Sequence, residues 1–373
     1  MVKAFNISTQ GASHIKKGKE CQDRSFSYVL DGRGVAVVCD GHGGDDYVRS
    51  AVGADIGRGS ANYLINKFLV HTNRDKFLSS PDEQLKQLES DIVNLWRKNV
   101  ERHVAEHPFT EEELAVVSDK ARAKYLSGDV FSAYGTTMLA VGIGIGIGYW
   151  FGIHIGDGRC VAVNPEGKFL QPIPWDKRCF LNATTSICDT DAAESFRHFF
   201  SEKLPVAVFI GSDGIDDSFA NREQFYALYK TVLYSFATEE FNEARKSLEN
   251  YLPRLSEKGS GDDVSIAALL DMEAIKALDV VKNFDVEKER AKVAATQQLE
   301  VAAEEKAVAD ETATEKGALT EAKIEETRES AYAQAKDVAA IPDSKEEPLA
   351  PVSRNEVTGK NTDCGEPLQG RTV

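Results

Sequence analysis

Cysteine is scarce in this 373-residue chain: six residues at irregular spacings, with no C-x-x-C pair. That pattern argues against a zinc knuckle and offers no disulfide framework. Reduced thiols in a cytoplasmic protein are expected, with Cys39 and Cys160 as plain core residues. Positive charge is also short: 44 Lys and Arg stand against 60 Asp and Glu, a formal net charge of −16. A surface for nucleic acid or an anionic membrane is therefore not expected. Long apolar runs are lacking as well. Residues 1–11 have no continuous apolar region, so no signal peptide is expected. Residues 137–155 are almost uncharged and nearly long enough to span a bilayer. Their glycine–isoleucine alternation is a poor helix former, and reads instead as two buried strands around a glycine turn.

What the chain does have is acid at the ends of apolar runs. Gly34-Val35-Ala36-Val37-Val38-Cys39 leads into Asp40-Gly41-His42-Gly43-Gly44. A strand-end carboxylate, with an open glycine carbonyl beside it, suits a hard cation that takes oxygen ligands. The pattern recurs in Val206 to Ser212 before Asp213-Gly214, with Asp216 and Asp217 close behind. Tyr149 to Ile155 likewise precedes Gly156-Asp157-Gly158, and Asp262-Asp263 precede Val264 to Leu270. Carboxylates brought together repel unless a cation neutralises them, so convergence of these four corners implies bound metal. The plainer reading is that each Asp caps its own turn and the four never meet.

Strand-like runs fall at 35–39, 137–143, 149–155, 160–163, 206–211 and 264–270. Short connections between several of them favour antiparallel sheets over a series of βαβ units. Leu85, Leu88, Ile92 and Leu95 keep helical spacing, as do Phe225, Leu228, Val232 and Leu233, and 45–65 reads as a helix. The composition changes near residue 274. A domain is expected over 1–273, followed by an Ala/Glu/Lys-rich helical segment over 274–340 without a sustained heptad. The proline- and glycine-punctuated stretch 341–373 is expected to be disordered.

Six pieces in order, Gln22-Asp23, Asp40 to Gly44, Tyr134-Gly135-Thr136-Thr137, Gly156-Asp157-Gly158-Arg159, Ser212 to Asp217 and Gly261 to Ser265, resemble the metal-dependent type 2C protein serine/threonine phosphatases. The resemblance covers about residues 5–272. Gly-Lys-Glu-Cys-Gln-Asp and Asn182-Ala183-Thr184-Thr185 are most similar to the family's compact bacterial branch. It implies an α+β fold: an αββα sandwich of two antiparallel sheets flanked by helices. It also implies hydrolysis of phosphoserine and phosphothreonine in proteins by water held between two divalent ions, Mn²⁺ or Mg²⁺.

By the same resemblance, Asp40 would bridge both ions, Asp213 and Asp262 would complete one site, and the Gly41 carbonyl would serve the other. Asp157 and Asp217 would form a weaker third position. His42 would give a proton to the departing alkoxide, an imidazole being able to titrate near working pH. No cysteine begins a Cys-x5-Arg loop, so no phosphoryl-accepting thiol is expected. Two positions depart from the family pattern. Gln22 stands where a carboxylate is expected, so the second ion lacks a charge there, and Asp23 would compensate from behind. Gly18 stands where a phosphate-clamping arginine is expected, leaving Lys16, Lys17 or Lys19 to supply point charge, with His14 helping to hold the phosphate or the Gln22 loop. The expected partner is a phosphoprotein substrate, with a further protein engaged through the C-terminal segment, and a monomer is expected. A catalytically silent phosphatase-fold module and a small-molecule phosphoesterase remain the alternative readings.

Overall fold

The structure, a computed structural model, describes residues 1–180 and 183–289. One sheet carries the strands β1 (Val2–Thr9), β6 (Arg159–Val163), β7 (Phe169–Leu170), β9 (Ala207–Gly211) and β10 (Val264–Asp271), in the order β1-β10-β9-β6-β7. The other carries β2 (Arg24–Leu30), β3 (Arg33–Cys39), β4 (Met138–Gly144), β5 (Tyr149–Ile155) and β8 (Arg197–Ser201), in the order β2-β3-β4-β5-β8. Every neighbouring pair is antiparallel.

Helices cover both outer faces. α1 (Ala12–Lys17) precedes β2. Between β3 and β4 lie α2 (Ser50–His71), α3 (Arg74–Ser79), α4 (Pro81–Glu106), α5 (Glu111–Val116) and α6 (Asp119–Leu126). Short α7 (Ala192–Ser195) and α8 (Asp213–Asp216) follow, then α9 (Arg222–Thr238), α10 (Phe241–Lys258), α11 (Met272–Ala277) and α12 (Asp279–Lys282). This is the αββα sandwich.

The two-residue period of a strand explains why antiparallel strands here are apolar throughout. In β3, Val35, Val37 and Cys39 pack into the helical layer of α2 and α4, while Ala36 and Val38 pack between the sheets. In β10, Ile266, Ala268 and Leu270 join the core under α9 and α10, while Ala267 and Leu269 meet the opposite sheet. With both faces covered, few positions are left for a polar residue; Ser265 in β10 and His154 in β5 are buried exceptions. The glycine–isoleucine run forms the end of β4 and its tight turn into β5, and no described helix is long and apolar enough to cross a membrane. The helix expected over 45–65 starts later, at Ser50, because Gly43 to Tyr47 are spent on the turn that leaves the strand end.

β1, β2 and β8 were not expected from the sequence. Their burial is partial, so polar residues interrupt the apolar pattern. The packed body also runs past residue 273: Ile275, Leu278 and Val281 are buried with α9, and the Phe284 ring packs at a tilt against Tyr234. The change expected at 274 therefore falls inside a packed segment as far as Glu289. The rest of the expected helical segment and the stretch 341–373 lie outside the described residues.

Candidate metal centre

Asp40 is held by a continuation of the β3–β4 pairing beyond Cys39. Its carbonyl accepts from the Thr137 amide at 2.8 Å and from Thr136 Oγ1 at 2.8 Å, and the His42 amide donates to Gly135 O at 3.1 Å. Gly41 has no room for a side chain: a Cβ there would lie 2.8 Å from Gln22 O and 2.9 Å from the Ser50 carbonyl. Any larger residue would push the Gln22 segment or α2 away from the corner.

In the other sheet, β9 and β10 end side by side. The Ser212 amide donates to Ser265 O at 3.1 Å, and the Ser265 amide donates to Ser212 Oγ at 3.0 Å. Asp213 opens α8 from this point, and Gly214 passes so close that a Cβ would sit 2.0 Å from Asp263 O. Asp263 is buried, and its two oxygens accept from the Gly11 and Gln22 amides at 2.6 Å each. One carboxylate thus ties the residues before β2 to the start of β10. Asp157 lies in the crossing from β5 to β6, which carries the chain from one sheet to the other.

These corners meet. The carboxyls of Asp40 and Asp213 lie close enough to act directly on one another, and Asp40 also feels the charges of Asp23 and Asp262. Burial first, then these neighbours, push Asp40 well above the usual carboxylate range. Burial with Asp157, Asp262 and Asp217 nearby pushes Asp213 up to about 7. Asp23, only 1% exposed, is pushed up to about 8 by burial and Asp263, while one of its oxygens accepts from Ser212 Oγ at 2.8 Å. Burial also raises Asp157 and Asp217, the latter beside Asp216 and Asp157. A protein can keep such a cluster ionised only with a compensating cation.

The donor set suits a hard cation. Gln22 Oε1, Asp23 Oδ1 and Asp213 Oδ1 are buried oxygens with no hydrogen-bond partner, in a place where a partner is expected. All are oxygens, as Mg²⁺ and Mn²⁺ prefer. His14, Asp262 and Asp263 also converge, with one ligand atom from each lying within 4.8 Å of the others. His14 is buried on α1, 2.9 Å from Asp263 and 3.7 Å from Asp262.

His42 stands beside the cluster with its Nε2 at 2.8 Å from Ser186 Oγ. The Ser186 hydroxyl donates to Thr136 O, so its oxygen accepts from His42, which places the ring proton on Nε2. Burial pushes His42 down to about 4. Tyr47 packs edge-on against the ring.

Lys16 and Lys17 are exposed on α1, whereas Lys19 donates to Gly43 O at 2.9 Å and to Asp45 at 3.0 Å. Sequence reading missed Asp263, Ser186 and Arg159. Asp263 was readable only as half of an acidic pair. Ser186 reaches His42 across 144 positions, with no local signal. Arg159 pairs with Asp216 and lies over the Trp175 ring at 3.7 Å.

Residues 10–253 match the profile of a family described as protein phosphatase 2C. Among solved structures, the fold is similar to RsbX in complex with magnesium, at 12% identity over 72% of this chain and 94% of that one, TM-score 0.40. It is similar to the catalytic domain of the serine/threonine phosphatase PstP with two manganese ions, at 15% identity over 72% and 97%, TM-score 0.43. It is similar also to a C. elegans sex-determining protein, at 16% identity over 75% and 67%, TM-score 0.47. No curated protein matches the chain.

Proposed function

The chain belongs to the protein phosphatase 2C family, the metal-dependent protein serine/threonine phosphatases, and we propose that it hydrolyses phosphoserine and phosphothreonine in proteins at the carboxylate centre described above. The observation that carries this reading is the contact between Asp40 and Asp213, from opposite sheets, amid buried oxygens that lack partners.

Asp40, Asp213 and Asp262, with Gln22 Oε1 and the Gly41 carbonyl, would hold two divalent cations, Mn²⁺ or Mg²⁺. Asp157 and Asp217 would hold a third more weakly. When bound, the cations supply an acidified water and screen the phosphoryl oxygens. Asp23, sealed behind the cluster, adds charge that Gln22 does not, and Asp263 fixes the Gln22 backbone. His14, between Asp262 and Asp263, would orient these carboxylates and help to hold the phosphate or the Gln22 loop. Lys16 and Lys17, exposed on the same helix, would offer the incoming phosphate point charge without the fork of an arginine.

His42 is the proton carrier of the reading. Ser186 holds its Nε2 proton, leaving Nδ1 as the atom to be charged and discharged. A phosphate dianion beside the ring opposes the effect of burial and raises its pKa, so the proton arrives with the substrate and leaves with the alkoxide. The five described cysteines are all free, which accords with a cytoplasmic setting.

The test is p-nitrophenyl phosphate and a phosphoserine peptide, each with Mn²⁺, with Mg²⁺ and with EDTA. Turnover that EDTA abolishes and either cation restores is the expected result. Undiminished turnover after metal removal, or none with any cation, overturns the reading.

A further inference from the structure

Next to Asp217 a cavity of about 530 Å³ opens on the surface, and it shares Arg159, Gln171, Trp175 and Arg222 with an adjoining chamber of about 170 Å³. The smaller chamber is also lined by Arg197 and His154. Three arginines around one connected hollow are unexpected in a chain of net charge −16. A diffuse attraction for anions is absent, so any anion held here is held by local groups.

Two of those groups are incomplete. His154 is 3% exposed and its Nε2 has no hydrogen-bond partner; the Nε–H of Arg197 is likewise buried and unpartnered, although its two other nitrogens donate to Pro174 O and Gly156 O. Buried polar atoms without partners mark a place where a ligand or water completes the bonding. Arg159 is offset by Asp216, and the Nε of Arg197 lies 3.7 Å from Asp176. Arg222 is exposed at the start of α9 and has no ion pair or hydrogen bond among the described residues. The Trp175 ring, with Arg159 across one face, forms a flat wall.

We propose that this hollow is a second anion subsite that receives the carboxylate or phosphoryl group of a residue flanking the target phosphoserine. It rests on the reading of the metal centre as a protein phosphatase. The inner chamber has room for one such group, and the guanidinium of Arg222 meets it bidentately. Asp217, on the outer rim, follows Asp213 by four positions, so one peptide can reach both places. The subsite therefore selects among phosphoproteins, which the metal centre alone does not do.

The experiment compares phosphoserine peptides with acidic or neutral flanking residues at stepped distances on either side, using wild type and Arg222→Glu in Mn²⁺. Wild type is expected to favour one acidic register by about tenfold in kcat/KM, through KM. Arg222→Glu should erase that ratio while turnover of p-nitrophenyl phosphate, which carries no flank, is unchanged. No preference in wild type, or a ratio that survives the charge reversal, overturns the subsite. Tryptophan fluorescence titrated with the acidic peptide lacking its phosphate, with Trp175→Phe as the blank, reads the hollow without chemistry. Saturable quenching by that peptide supports the subsite even if wild type hydrolyses nothing, which would sink only the phosphatase reading. Quenching by inorganic phosphate with none by the peptide overturns it in favour of a free-anion site.

Discussion

Cutting the chain after Glu273 should unfold what cutting it after Glu289 leaves intact. The residues between them include Ile275, Leu278 and Val281, which are 0%, 4% and 5% exposed against α9. Burying each such side chain contributes roughly 1.5–3 kcal/mol before ordering costs. Ordering the helices that carry them takes back about 1–2 kcal/mol per residue of backbone, largely offset by their own hydrogen bonds. The net is read more safely from one site: Ile275→Ala removes a fully buried side chain and should cost about 2–5 kcal/mol. For a body of this size each kcal/mol moves the melting temperature by about 2–4 °C, so a fall of roughly 4–20 °C is expected. The assay is thermal melting of four proteins, the full chain, the two truncations and Ile275→Ala, at one fixed Mn²⁺ concentration, because bound metal raises Tm by mass action. The chain ending at Glu289 should melt with the full chain and hydrolyse p-nitrophenyl phosphate as fast. If the chain ending at Glu273 melts within about 2 °C of it, the packing of α11 and α12 contributes nothing and the reasoning fails.

Asp213→Asn should cut turnover at least about 100-fold while stabilising the metal-free protein. A carboxyl raised to about 7 in the fold stabilises the protonated fold, so wild type without metal should lose Tm as pH rises from about 4 to about 7; the variant should show a flatter profile, and an equally steep one refutes the assignment. Asp157→Ala should lower the metal stoichiometry by isothermal titration while keeping most turnover, and an unchanged stoichiometry removes the third position. Ser186→Ala should slow phosphopeptide turnover by about tenfold without changing metal affinity, since it frees the ring of His42 to rotate; equal loss of metal binding would assign Ser186 a structural role. His198 is held between Glu89 at 2.9 Å and Asp82 at 3.1 Å, and the Glu89 bond raises its pKa. Burial pushes Glu89 up as well, but the short contact favours the charged histidine. The stability it adds is present below about pH 6.5 and lost as pH rises through the folded value. His198→Gln should therefore cost more stability at pH 6 than in alkaline solution in urea denaturation, and a loss independent of pH refutes the charged pairing.

The covered strands were legible because burial on both faces leaves an unbroken apolar run, as in Val35 to Cys39 and Val264 to Leu270. Each acidic corner was legible for the same reason: an Asp-Gly pair closes a run at the point where the strand leaves the core. Neither β1 nor β2 could be read so, being half-covered, and neither could the packed segment after residue 273, whose Ala, Glu and Lys content matches the stretch beyond it. Composition does not say whether Ile275, Leu278 and Val281 find a groove, since that depends on α9, some forty positions earlier.

Residue identity thus determined the chemistry on offer: oxygen donors, glycine corners, an imidazole and a missing arginine at Gly18. Tertiary structure alone decided which of them meet. Asp40 and Asp213 become partners only because two sheets stack with those strand ends together. The pKa of His42 is set by burial and its tautomer by Ser186, both of which depend on distant chain. The hollow of Arg159, Arg197 and Arg222 exists only because one strand crossing, one edge strand and one helix start converge, and interactions among charges depend on distance in space, of which spacing along the sequence carries no record.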